Sequence, residues 1–209
     1  MIGSNQLVHL DETTVSDEAQ PAPRKRRRSP RFRTVFRVAR VSARDDQGLA
    51  RIQNISDEGL MITTSMELSP GDAIQIDLSD DCSLTGLVVW YDRHRCGVRL
   101  LRPVNSPALL RQLYEERSVG HGRPLRLAHR KPVVVVSEQG HSAAALQDIS
   151  QAGLKISHKG NFNPGLAVKV LLAPGMERSG VVRWSKDGVA GIALTEILSV
   201  EELGSMRSF

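Results

Sequence analysis

Apolar and polar positions alternate in short runs along most of the chain. Val38 and Val41 stand between arginines, and Ile74, Ile76 and Leu78 alternate with Gln75, Asp77 and Ser79. Alternation of this kind predicts half-buried strands, because successive side chains of a strand point to opposite faces. The pattern gives strands over 34–43, 49–55, 60–64, 74–78, 84–91 and 96–100, with turn signals at Asp45-Asp46-Gln47-Gly48 and Ser69-Pro70-Gly71-Asp72. Short strands punctuated at this spacing predict a small antiparallel β-barrel. The period then changes: Ser106 and Pro107 suit an N-cap and a first helical position, Leu109, Leu110 and Leu113 share one stripe, and Gly120 and Gly122 follow. A closing helix is expected there.

The whole pattern then returns at a constant offset of 94 positions. Asn54, Ser56 and Gly59 come back as Asp148, Ser150 and Gly153, Pro70-Gly71 as Pro164-Gly165, and Gly86, Val88, Trp90, Gly97 and Leu100 as Gly180, Val182, Trp184, Gly191 and Leu194. A period this long matches a small domain, not a solenoid unit. The expected fold is therefore mainly β, two six-stranded antiparallel barrels in tandem, each followed by a helix, the second shorter and starting near Ser199. The expected division is 1–23, 24–118 and 119–209. At 209 residues and 40% hydrophobic content, the chain can bury two modest cores of roughly 90 residues each. Aromatics are few, so Trp90 and Trp184 are expected to anchor those cores.

Charge placement says more than the net charge of +5. Residues 1–23 are polar and acidic, end in Pro21-Ala22-Pro23 and have no periodicity that could bury a face, so a disordered tail is expected. From residue 19 to residue 44 there is no Asp or Glu, while Arg24, Lys25, Arg26, Arg27, Arg28, Arg31, Arg33, Arg37, Arg40 and Arg44 all fall there. Such a segment is suited to an anion.

Cys82 and Cys96 both lie in the first repeat, and the six histidines show no metal-ligand spacing. Without a signal peptide, a run long enough to span a bilayer or cysteine-dense spacing, a reducing cytoplasmic setting is expected, with no metal and no cofactor. No nucleophile, base and orienting acid recur together, and no Gly-rich phosphate loop opens a helix, so the chain does not read as an enzyme.

Two short motifs remain. Arg27-Arg28-Ser29-Pro30-Arg31 is an R-x-x-x-R element ahead of the first strand, and Asn54-x-Ser56-x-x-Gly59 stands at a strand junction. With the barrel pattern, the strand containing Trp90 and the closing Gly97-Val98-Arg99-Leu100 strand, these resemble the PilZ domain, the bacterial receptor module for cyclic di-GMP. The resemblance covers residues 24–118 and 122–205. It implies Arg27 and Arg31 in contact with phosphate and guanine, Arg28 as a helper, and Asn54, Ser56 and Gly59 in the barrel-side pocket. The chemistry is consistent, since the arginine fork bonds phosphate or guanine O6 and N7 and its plane stacks on a base. Asn54 offers an amide, Ser56 a small hydroxyl, and Gly59 a turn or a close approach.

The second copy keeps Asp148, Ser150 and Gly153 but not a clean arginine pair. One alignment sets Arg126 opposite Arg31 and Gly122 opposite Arg27. The other takes Arg126 and Arg130 as the R-x-x-x-R. A second ligand site and a decayed copy used for packing are both readings of this half. For the whole chain, the resemblance implies a cytoplasmic, non-catalytic cyclic di-GMP receptor that changes conformation on binding and so regulates a protein partner. The rival readings are a PilZ-like interaction scaffold that no longer binds nucleotide, and a nonspecific nucleic-acid binder working through the basic arm. The scarcity of exposed-looking aromatics for base stacking argues against single-strand recognition.

Overall fold

The computed structural model describes residues 30–118 and 123–209, without the side chains of residues 33–36, 117 and 118. The expected tail at 1–23, Arg27 and Arg28, and the helix-ending Gly120 and Gly122 lie outside the described residues. The first barrel comprises β1 (Phe32–Ala43), β2 (Asp46–Ser56), β3 (Gly59–Thr64), β4 (Ala73–Ser79), β5 (Cys82–Asp92) and β6 (Arg95–Leu100), followed by α1 (Ser106–Ser118). The second comprises β7 (Leu127–Ser137), β8 (Gly140–Ser150), β9 (Gly153–His158), β10 (Ala167–Ala173), β11 (Met176–Lys186) and β12 (Val189–Leu194). Each closes as an antiparallel barrel, in the order β1-β2-β3-β6-β5-β4 and its equivalent β7-β8-β9-β12-β11-β10. Closure leaves no free sheet edge. No described helix is long and apolar enough to cross a membrane.

Ile52, Ile62, Ile76 and Val88 fill the first core, and Leu146, Ile156, Val170 and Val182 the second. The strands run longer than the alternation suggested. The first hairpin also turns earlier, at Arg44-Asp45, with Arg44 in the left-handed region at φ 54°. Its guanidinium pairs with Asp72 at 2.5 Å.

The helix cap differs from the expectation by one residue. Asn105 caps α1: its Oδ1 accepts from the Ala108 N–H at 3.0 Å and its carbonyl from the Leu109 N–H at 2.9 Å. Ser106 sits inside the first turn, fully buried, and its hydroxyl bonds elsewhere. After the second barrel the expected helix is a single turn. Ser199 and Glu202 form a reciprocal capping box, the Ser199 N–H donating to Oε2 at 2.8 Å and the Glu202 N–H to the Ser199 Oγ at 3.0 Å. Gly204 then packs against Ser65 of the first barrel, and the chain leaves the helical path.

That departure joins the barrels. The Leu49 N–H donates to the Leu203 carbonyl at 2.7 Å and the Met206 N–H to the Gln47 carbonyl at 2.8 Å, so residues 203–206 line up along the start of β2. Leu49, on a strand of the first barrel, belongs to the hydrophobic core of the second. Ser205 donates to Asp46 at 2.6 Å, Arg207 pairs with Asp45, and Arg51 with Glu201 at 3.0 Å.

Candidate functional site

The two-residue turn between β2 and β3 is shaped by its own motif residues. Ser56 Oγ donates to the Gly59 carbonyl at 3.0 Å. A Cβ at Gly59 would stand 2.5 Å from the Val98 carbonyl oxygen, so β3 approaches β6 there only because residue 59 has no side chain. The second barrel repeats both features, with Ser150 Oγ 3.1 Å from the Gly153 carbonyl and a Gly153 Cβ position 2.9 Å from the Ile192 oxygen. The serine and glycine thus build the site wall as well as lining it.

Bulges aim the remaining residues. Along β5, Val88 is 2% exposed, and strict alternation would bury Trp90 as well; instead pairing with β6 shifts between Val88 and Trp90. A bulge adds a residue to one strand and changes which face follows. Val89 and Trp90 both turn outward, and Trp90 is 41% exposed. Its indole lies across Gly97, where a Cβ would sit 2.1 Å from Nε1. Trp184 repeats this over Gly191, with the pairing shift between Val182 and Trp184. The tryptophans are therefore outside the barrels, not in their cores, because the bulge reverses the phase read from alternation. A second bulge, between Ile52 and Asn54, sets the position of Asn54, and one between Leu146 and Asp148 sets that of Asp148.

These elements enclose a cavity of about 430 Å³ on the first barrel, lined by Arg31, Ser56 and Gly59 together with Met61, Trp90 and Arg99. Asn54 is half-buried beside this turn. Its buried Oδ1 has no hydrogen-bond partner among the described residues, an arrangement that costs about 1–3 kcal/mol unless a donor arrives. An aromatic face and two guanidinium groups can together hold a planar, anionic ligand, whereas Asn54 is not among the residues that line the cavity.

The second barrel has a cavity of about 470 Å³ in the equivalent place, lined by Arg126, Asp148, Ser150, Gly153, Lys155, Arg183 and Trp184 among others. Strand register decides which arginine corresponds to Arg31. Leu127 pairs with Ile149 as Phe32 pairs with Ile55, which puts Arg126 in the place of Arg31. Arg130 lies farther along β7, within the irregular stretch between Ala128 and Lys131, and is not among the lining residues. Arg126 is bonded to the Asp148 carboxylate.

Two carboxylates tie the sites to the scaffold. Asp57 Oδ1 accepts from the Ser106 hydroxyl and N–H, and these bonds, the hydroxyl's first, hold its carboxyl below the ordinary value. Burial of Asp77 opposes its ionisation, but hydrogen bonds from Gln75, Ser83 and Arg40, with the charge of Arg40, outweigh it and lower its pKa. Cys82 and Cys96 are free thiols, and burial pushes Cys96 up to about 11, well away from thiolate chemistry at neutral pH. No group of side chains among the described residues could hold a metal ion.

The basic residues that the motifs do not contain are Arg99 in the first cavity and Lys155 and Arg183 in the second. At the fixed offset these positions read Arg99 against Ala193, Met61 against Lys155 and Val89 against Arg183. Each barrel thus draws positive charge from different strands, which a search for repeated residues passes over.

The PilZ domain family model matches residues 25–116 and 121–205. No curated protein matches the chain. Among solved structures, the Borreliella burgdorferi PlzA protein in complex with c-di-GMP is similar at 12% identity, over 78% of this chain and 83% of that one, with a TM-score of 0.37. The Bacillus subtilis inhibitor of motility, MotI/DgrA, is similar at 12% identity, over 79% and 91%, with a TM-score of 0.29. YcgR from Escherichia coli in complex with c-di-GMP is similar at 10% identity, over 78% and 76%, with a TM-score of 0.28. Likenesses this distant do not extend to ligand or partner.

Proposed function

The chain belongs to the PilZ domain family along both barrels, and from that premise we propose that it is a non-catalytic receptor for cyclic di-GMP. The reading rests above all on the first cavity, where Arg31, Ser56 and Gly59 meet Trp90 and Arg99. Guanine stacks on the indole or on a guanidinium plane, and each phosphate takes a guanidinium fork. Arg27 and Arg28, four and three positions before Arg31, extend the cationic side of the site. Binding draws this segment onto the barrel face and alters the surface presented to a protein partner.

The second cavity is a weaker site of the same kind. Its cations are Arg126, Lys155 and Arg183, but Arg126 is already engaged by Asp148. Incoming phosphate must compete with that carboxylate.

Calorimetric titration of the full chain with cyclic di-GMP, with GTP as control, tests the proposal. Saturable heat with cyclic di-GMP alone is expected, weakened at least about tenfold by Arg31→Ala, since losing one charge-assisted bond costs about 1.5–3 kcal/mol. No heat at high ligand concentration would leave an interaction scaffold. Binding that tracks salt and ignores cyclic di-GMP would favour nucleic acid.

A further inference from the structure

Arg40 sits on β1 of the first barrel, yet it reaches the arginine of the second cavity. Its Nε donates to Asp77 Oδ2 at 2.8 Å, and its Nη1 donates to the backbone carbonyl of Arg126 at 2.8 Å. Asp77 is almost fully buried and also accepts from Gln75 at 2.9 Å, so the anchor on the first-barrel side is fixed. Two residues beyond Arg126, the Ala128 carbonyl accepts from Gln47 Nε2 at 2.6 Å. The backbone at the start of β7, from Arg126 to Ala128, is therefore held by two side chains of the other barrel, while the Arg126 side chain turns to Asp148 and the cavity.

We propose that Arg40 is a positioning residue for the second cavity, so that the first barrel sets where Arg126 stands and the second barrel's anion site is complete only in the tandem chain. The guanidinium suits this task because its planar fork can satisfy two acceptors at once in a fixed geometry. A lysine would keep the charge beside Asp77 but, as a single ammonium on a flexible stem, would not hold both acceptors in place. Arg40 also shares β1 with the segment that follows Arg31, so one continuous strand runs from the first cavity to the brace on the second. The ligand identity used below rests on the cyclic di-GMP reading; the brace itself does not.

The test uses the full chain in a Trp90→Phe background, which leaves Trp184 as the sole tryptophan and a reporter of the second cavity. Arg40→Lys is the main variant, since it spares the buried Asp77 an uncompensated charge. Without ligand, amide exchange at residues 126–128 and at Asp148 is expected to accelerate in Arg40→Lys. With cyclic di-GMP, the Trp184 response is expected to shift about tenfold to higher concentration, as loss of one charged hydrogen bond implies. The shift should vanish in an Arg126→Ala background, because Arg40 acts through Arg126. Unchanged exchange, or an Arg40→Lys effect that persists without Arg126, overturns the proposal. Accelerated exchange with a Trp184 signal that ignores cyclic di-GMP supports the brace and refutes only the ligand.

Discussion

Asp57 Oδ1 accepts two hydrogen bonds from Ser106, one from the hydroxyl at 2.6 Å and one from the backbone N–H at 3.0 Å. The carboxylate lies in the turn between Ser56 and Gly59, so the wall of the first cavity and the start of α1 are one mechanical unit. At the equivalent place of the second barrel, Gln151 donates instead to the Leu198 carbonyl at 3.0 Å, and a single turn follows where the first barrel has a helix.

This contact carries a pH dependence. The folded-state pKa of Asp57 lies below its unfolded value, so its contribution is fully present above the ordinary carboxylate pKa and is lost as pH falls through the lower, folded one. Amide exchange across α1, corrected for its intrinsic pH dependence, is expected to rise on acidification below about pH 4. Asp57→Ala should bring the same loosening at neutral pH and remove the acid response. An α1 that is equally protected in Asp57→Ala would show that the Asn105 cap and the packing of Leu109, Leu110 and Leu113 hold the helix without Asp57.

Trp90→Ala should weaken cyclic di-GMP binding by about 1–3 kcal/mol, the usual worth of one stacked base. Its cost in stability should be smaller than that of removing a core aromatic, about 3–5 kcal/mol, because the indole is 41% exposed. Calorimetry and urea denaturation of the same variant separate the two effects. A large loss of stability with unchanged affinity would make Trp90 a packing residue.

Leu49→Ala should destabilise the protein by about 2–5 kcal/mol, as for other buried leucines. The unusual expectation is where the damage appears. Leu49 is on β2 but packs in the second core, so hydrogen exchange should rise in β7 to β12. Gly48→Ala attacks the same junction from the backbone: its Cβ would stand 2.0 Å from the Gly204 carbonyl oxygen. Overpacking of this kind costs about 1–3 kcal/mol or more, and residues 203–206 should lose protection first.

Alternation, turn residues and the repeat made the two barrels legible from sequence, because a strand's period and a hairpin's turn chemistry are local properties. Trp90 departs from the alternation for a reason equally local: a bulge reverses the phase after Val88, and no composition signal marks it. Asn105 and Ser106 are both favoured caps, and only the Asp57 acceptor explains why Ser106 turns inward. The Ser56 and Gly59 motif pointed to the right turn. The cavity positions of Arg99, Lys155 and Arg183 carry no such signal, since each stands where the other copy has no basic residue. The joining of the barrels through residues 199–209 rests on contacts between copies, such as Leu49 with Leu203, which no local pattern within one copy marks.

The second cavity offers the sharpest comparison between the copies, because Asp148 stands where the first barrel has Asn54. Its carboxylate engages Arg126, half-exposed at the cavity wall. An ion pair in such a setting is worth about 0.2–1 kcal/mol, and a phosphate must displace it. Asp148→Asn removes the competing charge and gives the second barrel the first barrel's amide. In an Arg31→Ala background, which weakens the first site, Asp148→Asn should tighten cyclic di-GMP binding at the second by about 1.5- to 5-fold, the same energy expressed as affinity. The gain should need Arg126 and disappear in Arg126→Ala. Weaker binding in Asp148→Asn would mean that the carboxylate takes a ligand N–H itself, and that the Arg126 pair orients it for that task.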